Sequence, residues 1–551
     1  MTKNIRVSKS LKVFGAVLPI VLIILFLLFP VISVLITSFY DGTKFSFEFL
    51  GAIFSDTLYY NIFGITFSQA LLSTLITLLV GIPIGYIFGK FEFRGRKILL
   101  AIFTVPFVLP TVLVGMGFVS LFGESGLFGS KFLSLILAHT FYNIPLVIHY
   151  FSAYYRTFDQ NMIDAAKTLG SKGFHRLFRV FLPLFLPPIL SASVLTFIFC
   201  FLSYGVVYII GAGSFKTTEL QIYSDYFSGE KSIAAALALI QLILILLIVV
   251  GYLIVLRFQS RREKVGKTEI FPREKLLIKN KLRKPRNIIL LFIFILGLVL
   301  ELAPMISIII TSFLDPNTNQ FSNNFLTLFN NDLESITHIK IGRAATNTIL
   351  FALGSAIIAS FLAIVTVAII GIKKRRKSSI SLEILSYLPI TISSITLSIG
   401  IREIFYRFSF FDNYPWVFIL ISHGLIGYPF VIRALLNGIN NLDQDLLDSA
   451  ETLGANWWFK FRKIYLPLLF RSFLAGFVFA LGISLGEFTI VNFFSTGDFG
   501  LTTLTVVLSR LRDGRHFGPA SAVGALLLGV SYFTFIILEL FEAREKTSSK
   551  I

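Results

Sequence analysis

Runs of roughly twenty apolar residues recur along the whole chain, and they constrain the fold more than anything else in it. About 20 apolar residues in helical form cross the hydrocarbon core of a bilayer. No water reaches that core, so a spanning segment must satisfy its own backbone donors and acceptors. Such runs fall near residues 13–38, 62–89, 98–120, 133–151, 184–212 and 234–256, then near 287–313, 346–371, 382–402, 417–436, 468–494 and 519–541. Twelve spans are therefore expected. Composition points the same way: 55% of the 551 residues are hydrophobic and 14% are charged, against about 25% charged in a soluble domain. The expected fold is all-α and polytopic, with six helices in residues 1–256, a linker at 257–286 and six more helices in 287–551.

Lys3, Arg6, Lys9 and Lys12 precede the first run. A secretory signal would have a shorter apolar region, about 7–15 residues, and a small-residue cleavage site. Neither is found, so the run reads as a retained first helix. The formal net charge is +19, which in a soluble protein would suggest nucleic acid. Here the bases sit between apolar runs instead. The 257–286 segment holds twelve Lys/Arg and three Glu, net +9, and residues 373–377 add +5. The loops expected on the other side (40–60, 121–132, 213–233, 314–345, 403–416 and 495–518) sum to about −4. Basic loops stay in the cytoplasm, so both termini are expected there, and the bases are expected to meet lipid phosphates rather than nucleic acid.

Two stretches on the expected cytoplasmic side repeat. Asp164-Ala165-Ala166-Lys167-Thr168-Leu169-Gly170, followed by Leu182-Pro183, returns 284 residues later as Asp448-Ser449-Ala450-Glu451-Thr452-Leu453-Gly454, followed by Leu466-Pro467. His139 and Pro145 match His423 and Pro429 at the same offset. The offset slips to 283 for Pro106 and Pro389, and to 281 for Ser203-x-Gly205 and Ser484-x-Gly486. Similarity over such a length marks two copies of one fold. Six spans per copy keep both in the same orientation, a parallel repeat about an axis along the membrane normal. Within the loop, an acidic residue opens a short helix and small residues follow. Glycine ends it in a left-handed turn, and Leu-Pro starts the next span, where proline is tolerated in a first turn. The bland alternative is an amphipathic linker lying on the headgroups. Two matching copies on one face favour a symmetric partner.

This pattern resembles the signature loop of the permeases of binding-protein-dependent ABC importers: Glu-Ala-Ala, three residues, Gly, about nine residues, then a hydrophobic residue, one more, and Leu-Pro. Both copies carry Asp for Glu, and the second carries Ser449 for the first Ala. The resemblance covers nearly the whole chain. It implies two repeated permease units in a bacterial cytoplasmic (inner) membrane. Asp164, Ala165, Ala166, Gly170, Leu182, Pro183, Asp448, Ser449, Ala450, Gly454, Leu466 and Pro467 would form two coupling loops, each seated in one of two ATP-binding subunits. A solute-binding protein would dock on the outer face. ATP and magnesium would be bound by the partner subunits, with no cofactor in this chain.

A finer resemblance, to fused double permeases for ferric iron and for thiamine, rests on Phe201-Leu202-Ser203-Tyr204-Gly205-Val206-Val207, Thr217-Thr218-Glu219-Leu220 and Ser484-Leu485-Gly486-Glu487-Phe488. It implies import of one of those two solutes. Permeases for polyamine, sulfate or phosphonate are alternatives, as is a twelve-helix secondary transporter driven by ions. Ser203, Tyr204, Gly205, Ser484, Gly486 and Glu487 are the expected pathway residues. Glu487 stands where the first copy has Val206, which could offer a cationic cargo a one-sided acidic contact. The alternative is a helix–helix hydrogen bond or a pair with a base such as Arg402. Glu301 also lies within a span, where acids face the bundle.

Nothing suggests chemistry on the chain itself. No Gly-x-x-x-x-Gly-Lys-Ser/Thr loop occurs to cradle phosphates. The six histidines are scattered, with His139 and His423 expected to pack or hydrogen-bond, and Cys200 is alone, so no metal site or enzymatic constellation is expected.

Overall fold

In a computed structural model, residues 20–40, 44–123, 127, 129–158, 161–260, 273–275, 285–315, 318, 320–372, 388–406, 413–440, 442 and 444–548 are described. The first half holds α1 (Ile20–Thr37), α2 (Thr57–Lys90), α3 (Arg96–Thr104), α4 (Thr111–Phe122), α5 (Lys131–Thr157) and α6 (Asn161–Thr168). It continues with α7 (Leu182–Phe201), α8 (Gly205–Ile210), α9 (Thr218–Phe227) and α10 (Lys231–Ser260). The second half holds α11 (Pro285–Thr311), α12 (Ile341–Ile372), α13 (Ser394–Phe405), α14 (Trp416–Asn440) and α15 (Gln444–Thr452). It ends with α16 (Leu466–Gly486), α17 (Thr489–Ser495), α18 (Leu504–Asp513) and α19 (Phe517–Ser548). Two short helices, Glu48–Ser55 and Asn331–Thr337, and single-turn, 3₁₀ and π segments lie between them. The fold is all-α and polytopic.

Ten helices among the described residues are long and apolar enough to cross a membrane, and a bent pair makes an eleventh. Three of the expected spans differ from the hydropathy reading. The run at 98–120 bends by 105° between Val108 and Thr111. Pro110 explains the break, since proline supplies no amide hydrogen and restricts the residue before it. The runs at 184–212 and 468–494 are each two helices, interrupted after Phe201 and after Gly486. Each break is only two or three residues long, Leu202–Tyr204 and Glu487–Phe488, and lies between apolar stretches, so a hydropathy window about twenty residues wide could not show it. Of the expected span at 382–402, residues 382–387 lie outside the described residues; Leu388–Thr391 is a 3₁₀ turn and α13 follows. The last helix of the first half runs to Ser260, four residues into the expected linker. Most of that linker lies outside the described residues. Glu274 and Lys275 pair in parallel with Phe91 and Glu92, and Arg273 donates to the Phe88 carbonyl at 3.2 Å.

Each half is built on one close helix pair. Gly81, Gly85 and Gly89 of α2 lie against Val147, Ile148, Phe151, Ser152 and Tyr155 of α5. In the second half, Gly354 and Gly424 bring α12 and α14 together around Leu420 and Ile358. Lipid tails provide no hydrophobic drive between helices, so association depends on such close backbone approach. Large apolar side chains such as Leu79, Phe292 and Phe533 remain exposed on the perimeter, where hydrocarbon solvates them.

The halves also exchange arms. The first helix of each half packs on the third segment of the other: α1 on α13, and α11 on α4. A Cβ at Gly117 would stand 2.9 Å from the Pro304 carbonyl oxygen, and one at Gly400 would collide with the Pro30 carbonyl. Gly117 and Gly400 are repeat-related by 283. Two prolines, each lodged on a partner glycine, thus lock the halves together. Replacing either glycine by valine is expected to lower the stability of the purified chain by about 1–3 kcal/mol through overpacking. The check is a drop in the detergent thermal midpoint for Gly117→Val and Gly400→Val, with no drop for Gly64→Val, whose surroundings are open.

Candidate translocation cavity and loop face

The interruptions after Phe201 and Gly486 expose backbone at the centre of the bundle. Irregular backbone at membrane depth is tolerated where it lines a cavity, and that is its setting here. A cavity of about 270 Å³ lies between the halves. Ser203, Tyr204, Gly205, Gly486 and Glu487 all line it, as do His139, Tyr142, Ser393 and the rings of Phe107, Phe199, Phe430 and Phe488. Ser484 stands one layer behind. Its Oγ shares a 2.7 Å hydrogen bond with His423 Nδ1. The structure thus brings the sequence-selected pathway residues to one place. The rings from the third, fourth and fifth segments were not picked out in advance, because a phenylalanine in an apolar run carries no sign of which way it faces.

Glu487 does not meet Arg402. Its Oε2 lies 3.2 Å from His423 Nε2, and its carboxylate accepts from the amides of Ile490 at 3.0 Å and Val491 at 3.4 Å. It therefore caps the first turn of α17. Arg402 instead stacks over Tyr406, Phe227 and Phe493. His139 donates from Nδ1 to Gln69 Oε1 at 2.8 Å, and Gln69 Nε2 donates to the Cys200 carbonyl. Glu301 is fully buried and lies outside the cavity lining.

Contacts between halves close the cavity on the side away from α6 and α15. Tyr204 stacks on Phe488 at 5.9 Å, and Asn492 Nδ2 reaches the hydroxyls of Tyr204 and Tyr223 at 3.3 and 3.4 Å. Further along, Glu403 accepts from Tyr226 at 2.8 Å and Lys231 at 2.9 Å. Glu219 of α9 accepts from Ser393 Oγ at 2.7 Å and from Gln241. Ser393 also caps α13 through the amides of Ile395 and Thr396. Toward the loops, Phe107 meets Phe430 at 6.1 Å, and the Arg433 guanidinium lies 4.9 Å from the Tyr150 ring centre.

The repeated loops are the short helices α6 and α15. Gly170 has φ +81° and Gly454 φ +77°, a region that only glycine enters freely. Gly170 N–H donates to the Lys167 carbonyl and Ser171 N–H to the Ala166 carbonyl, both at 3.0 Å. That pair of bonds is the Schellman ending, and Ala455 N–H repeats its longer bond to Ala450 at 2.9 Å. Just before each glycine a leucine points into solvent: Leu169 is 87% and Leu453 88% exposed. Asp164 pairs with Lys167, and this hydrogen bond holds its carboxyl below the usual range. Asp448, Ser449, Ala165 and Ala166 share the same exposed helices, and Leu182-Pro183 and Leu466-Pro467 open α7 and α16. A π turn precedes both, at Leu177–Phe181 and Phe461–Tyr465.

Two repeated bundles, a seam cavity and paired exposed loops define a membrane permease. The family described as the binding-protein-dependent transport system inner membrane component matches the chain twice, over residues 81–264 and 357–547, and the chain belongs to it. It is the multi-pass permease component of an ABC importer. Among individual relatives, the thiamine transport system permease protein ThiP of Haemophilus influenzae is 26% identical over 521 residues, covering 89% of this chain and 91% of that protein. ThiP of Escherichia coli K12 is 22% identical over 518 residues, 90% of this chain and 91% of that protein. A probable sulfate transport system permease protein of Prototheca wickerhamii is 28% identical over 206 residues, 34% of this chain and 80% of that protein.

The Glu219 seam is expected to respond to pH. Burial pushes this carboxyl from 4.5 up to about 7, against the pull of its bonds from Ser393 and Gln241. A raised carboxyl contributes stability that is full below about 4.5 and is lost as the pH rises through about 7. The detergent thermal midpoint should therefore fall across that window, and Glu219→Gln should flatten the fall. Ser393→Ala, which leaves a buried oxygen short of a donor, should cost about 1–3 kcal/mol.

Proposed function

We propose that this permease carries thiamine, or a similar heteroaromatic cation, into the cytoplasm by alternating access, driven by two ATP-binding subunits seated on α6 and α15. The observation that carries the docking role is the pair of nearly fully exposed leucines, Leu169 and Leu453, each held at the end of a rigid, glycine-closed helix. Burying one such side chain in a partner's cleft contributes about 1.5–3 kcal/mol. Their repeat-related positions suit two identical partners. The excess of Lys and Arg in the loops on their side favours a cytoplasmic location for α6 and α15, and with them both termini. The opposite face then receives a solute-binding protein, and the Tyr204–Phe488 and Glu403–Lys231 contacts form the outer closure.

The cargo reading is supported by two things. The thiamine permeases named above run alongside nearly the whole of this chain, whereas the sulfate permease covers about one copy. The cavity is also walled by aromatic rings with a single carboxylate, which suits a flat organic cation. Ferric iron, a trivalent ion that calls for several oxygen ligands, fits that lining less well. No ATP-binding loop is present in the sequence, so hydrolysis falls to the partners.

The docking role is tested in proteoliposomes holding the assembled transporter. Gly170→Trp and Gly454→Trp should separate ATP hydrolysis from uptake, because the left-handed turn is lost. Leu169→Asp combined with Leu453→Asp should release the ATPase during purification. Uptake at the parental rate in both tryptophan variants would remove the docking role.

A further inference from the structure

The cavity is unequal across the seam, and the inequality has a chemical direction. Four of its six rings, Phe107, Tyr142, Phe199 and Tyr204, come from the first half. Its single carboxylate, Glu487, comes from the second, at the position where the first half has Val206. The Glu487 side chain is 9% exposed. Among the described residues no lysine or arginine pairs with it, and its contacts are two amides and His423. His423 is held from its other nitrogen by Ser484. The carboxylate is therefore oriented from behind, with His423 as its basic neighbour and no lysine or arginine beside it among the described residues. A charge in that state favours any cation that reaches the cavity, because attraction is strong where water is excluded. The rings opposite the carboxylate offer flat apolar faces on which a neutral aromatic ring can stack.

Resting on the proposed import of a thiamine-like cargo, we infer that Glu487 is the cation contact of a cargo subsite within the permease itself. Cargo passes through it in one orientation, with its positive ring toward the second half and its neutral ring among the rings of the first. Ser484 and His423 are positioning residues that hold the carboxylate. Thiamine, a neutral pyrimidine joined to a positive thiazolium, has that two-ended chemistry. Selection of the cargo is thus made twice, once by the binding protein and once at the seam.

The alternative is that Glu487 serves only as the cap of α17. Two substitutions separate the roles. Glu487→Gln keeps an oxygen to accept from the amides of Ile490 and Val491 but loses the charge. Glu487→Asp keeps the charge on a shorter arm. The experiment measures uptake of radiolabelled thiamine into proteoliposomes by the complete transporter, with saturating loaded binding protein. Purified complexes are first shown to be monodisperse and to retain both ATPase subunits. The expected result is a loss of about tenfold or more in uptake for Glu487→Gln, as for other charge contacts in desolvated sites, with Glu487→Asp well above it. Uptake by Glu487→Gln at the parental rate overturns the subsite, and so does a loss in Glu487→Asp as large as or larger than that in Glu487→Gln, which would assign the residue's role to its reach toward the α17 amides and not to its charge. Failure of the unsubstituted transporter to take up thiamine would instead overturn the cargo reading, a separate result.

Discussion

Hydrocarbon cannot hydrogen-bond to a peptide group, and the rest of this structure depends on that constraint. A helix can stop inside the membrane only where protein or a water-accessible cavity receives its free groups. Both halves stop a helix there, after Phe201 and after Gly486, and residues of both breaks line the cavity at the seam. The second break is better supported, since the Glu487 carboxylate takes two amides of the next turn. The first has Val206 in that place and no such cap. One demand, met differently in the two copies, accompanies both the seam cavity and its asymmetry.

The exchanged first helices bear on how such a passage can move. Pro30 sits on Gly400 and Pro304 on Gly117, so each half carries an arm of the other. Rocking of the halves would take these arms along, with sliding at the seam contacts instead. The seam contacts suit that division. Most are ring stacks, hydroxyl contacts and single ion pairs such as Glu403–Lys231, each worth about 0–1.5 kcal/mol, and the buried Ser393–Glu219 bond is the stronger exception. The Gly–Pro crossings, by contrast, are backbone against backbone and have no slack.

Glu219 shows how a residue that looks unremarkable in a sequence can be central in a fold. It follows two threonines in an outer loop, and nothing local to it suggests burial. Its place is set by Gln241 in its own half and Ser393 in the other. Its helix starts at Thr218 and the equivalent helix of the second copy at Leu504, so the corresponding position there is Thr505, and among the described residues the acidic tie across the seam is made once, not twice. Here, as at Glu487 and Val206, fusion of the two copies in one chain has let them diverge.

The sequence by itself determined the all-α membrane fold, the two copies, the distribution of charge and the repeated loop with its glycine ending. These are local or periodic properties: span length, basic flanks, a motif at constant offset. It also pointed to Ser203, Tyr204, Gly205, Gly486 and Glu487, because the repeat marked the places where the copies agree and where they differ. Only the tertiary structure decided that two apolar runs are broken, that Glu487 meets His423 and not Arg402, and that the first helices cross over. The physical reason is that hydropathy is the same on either side of a break and on either face of a buried helix. Direction, register and partner are set by side chains hundreds of residues apart, and those meet only in the folded bundle.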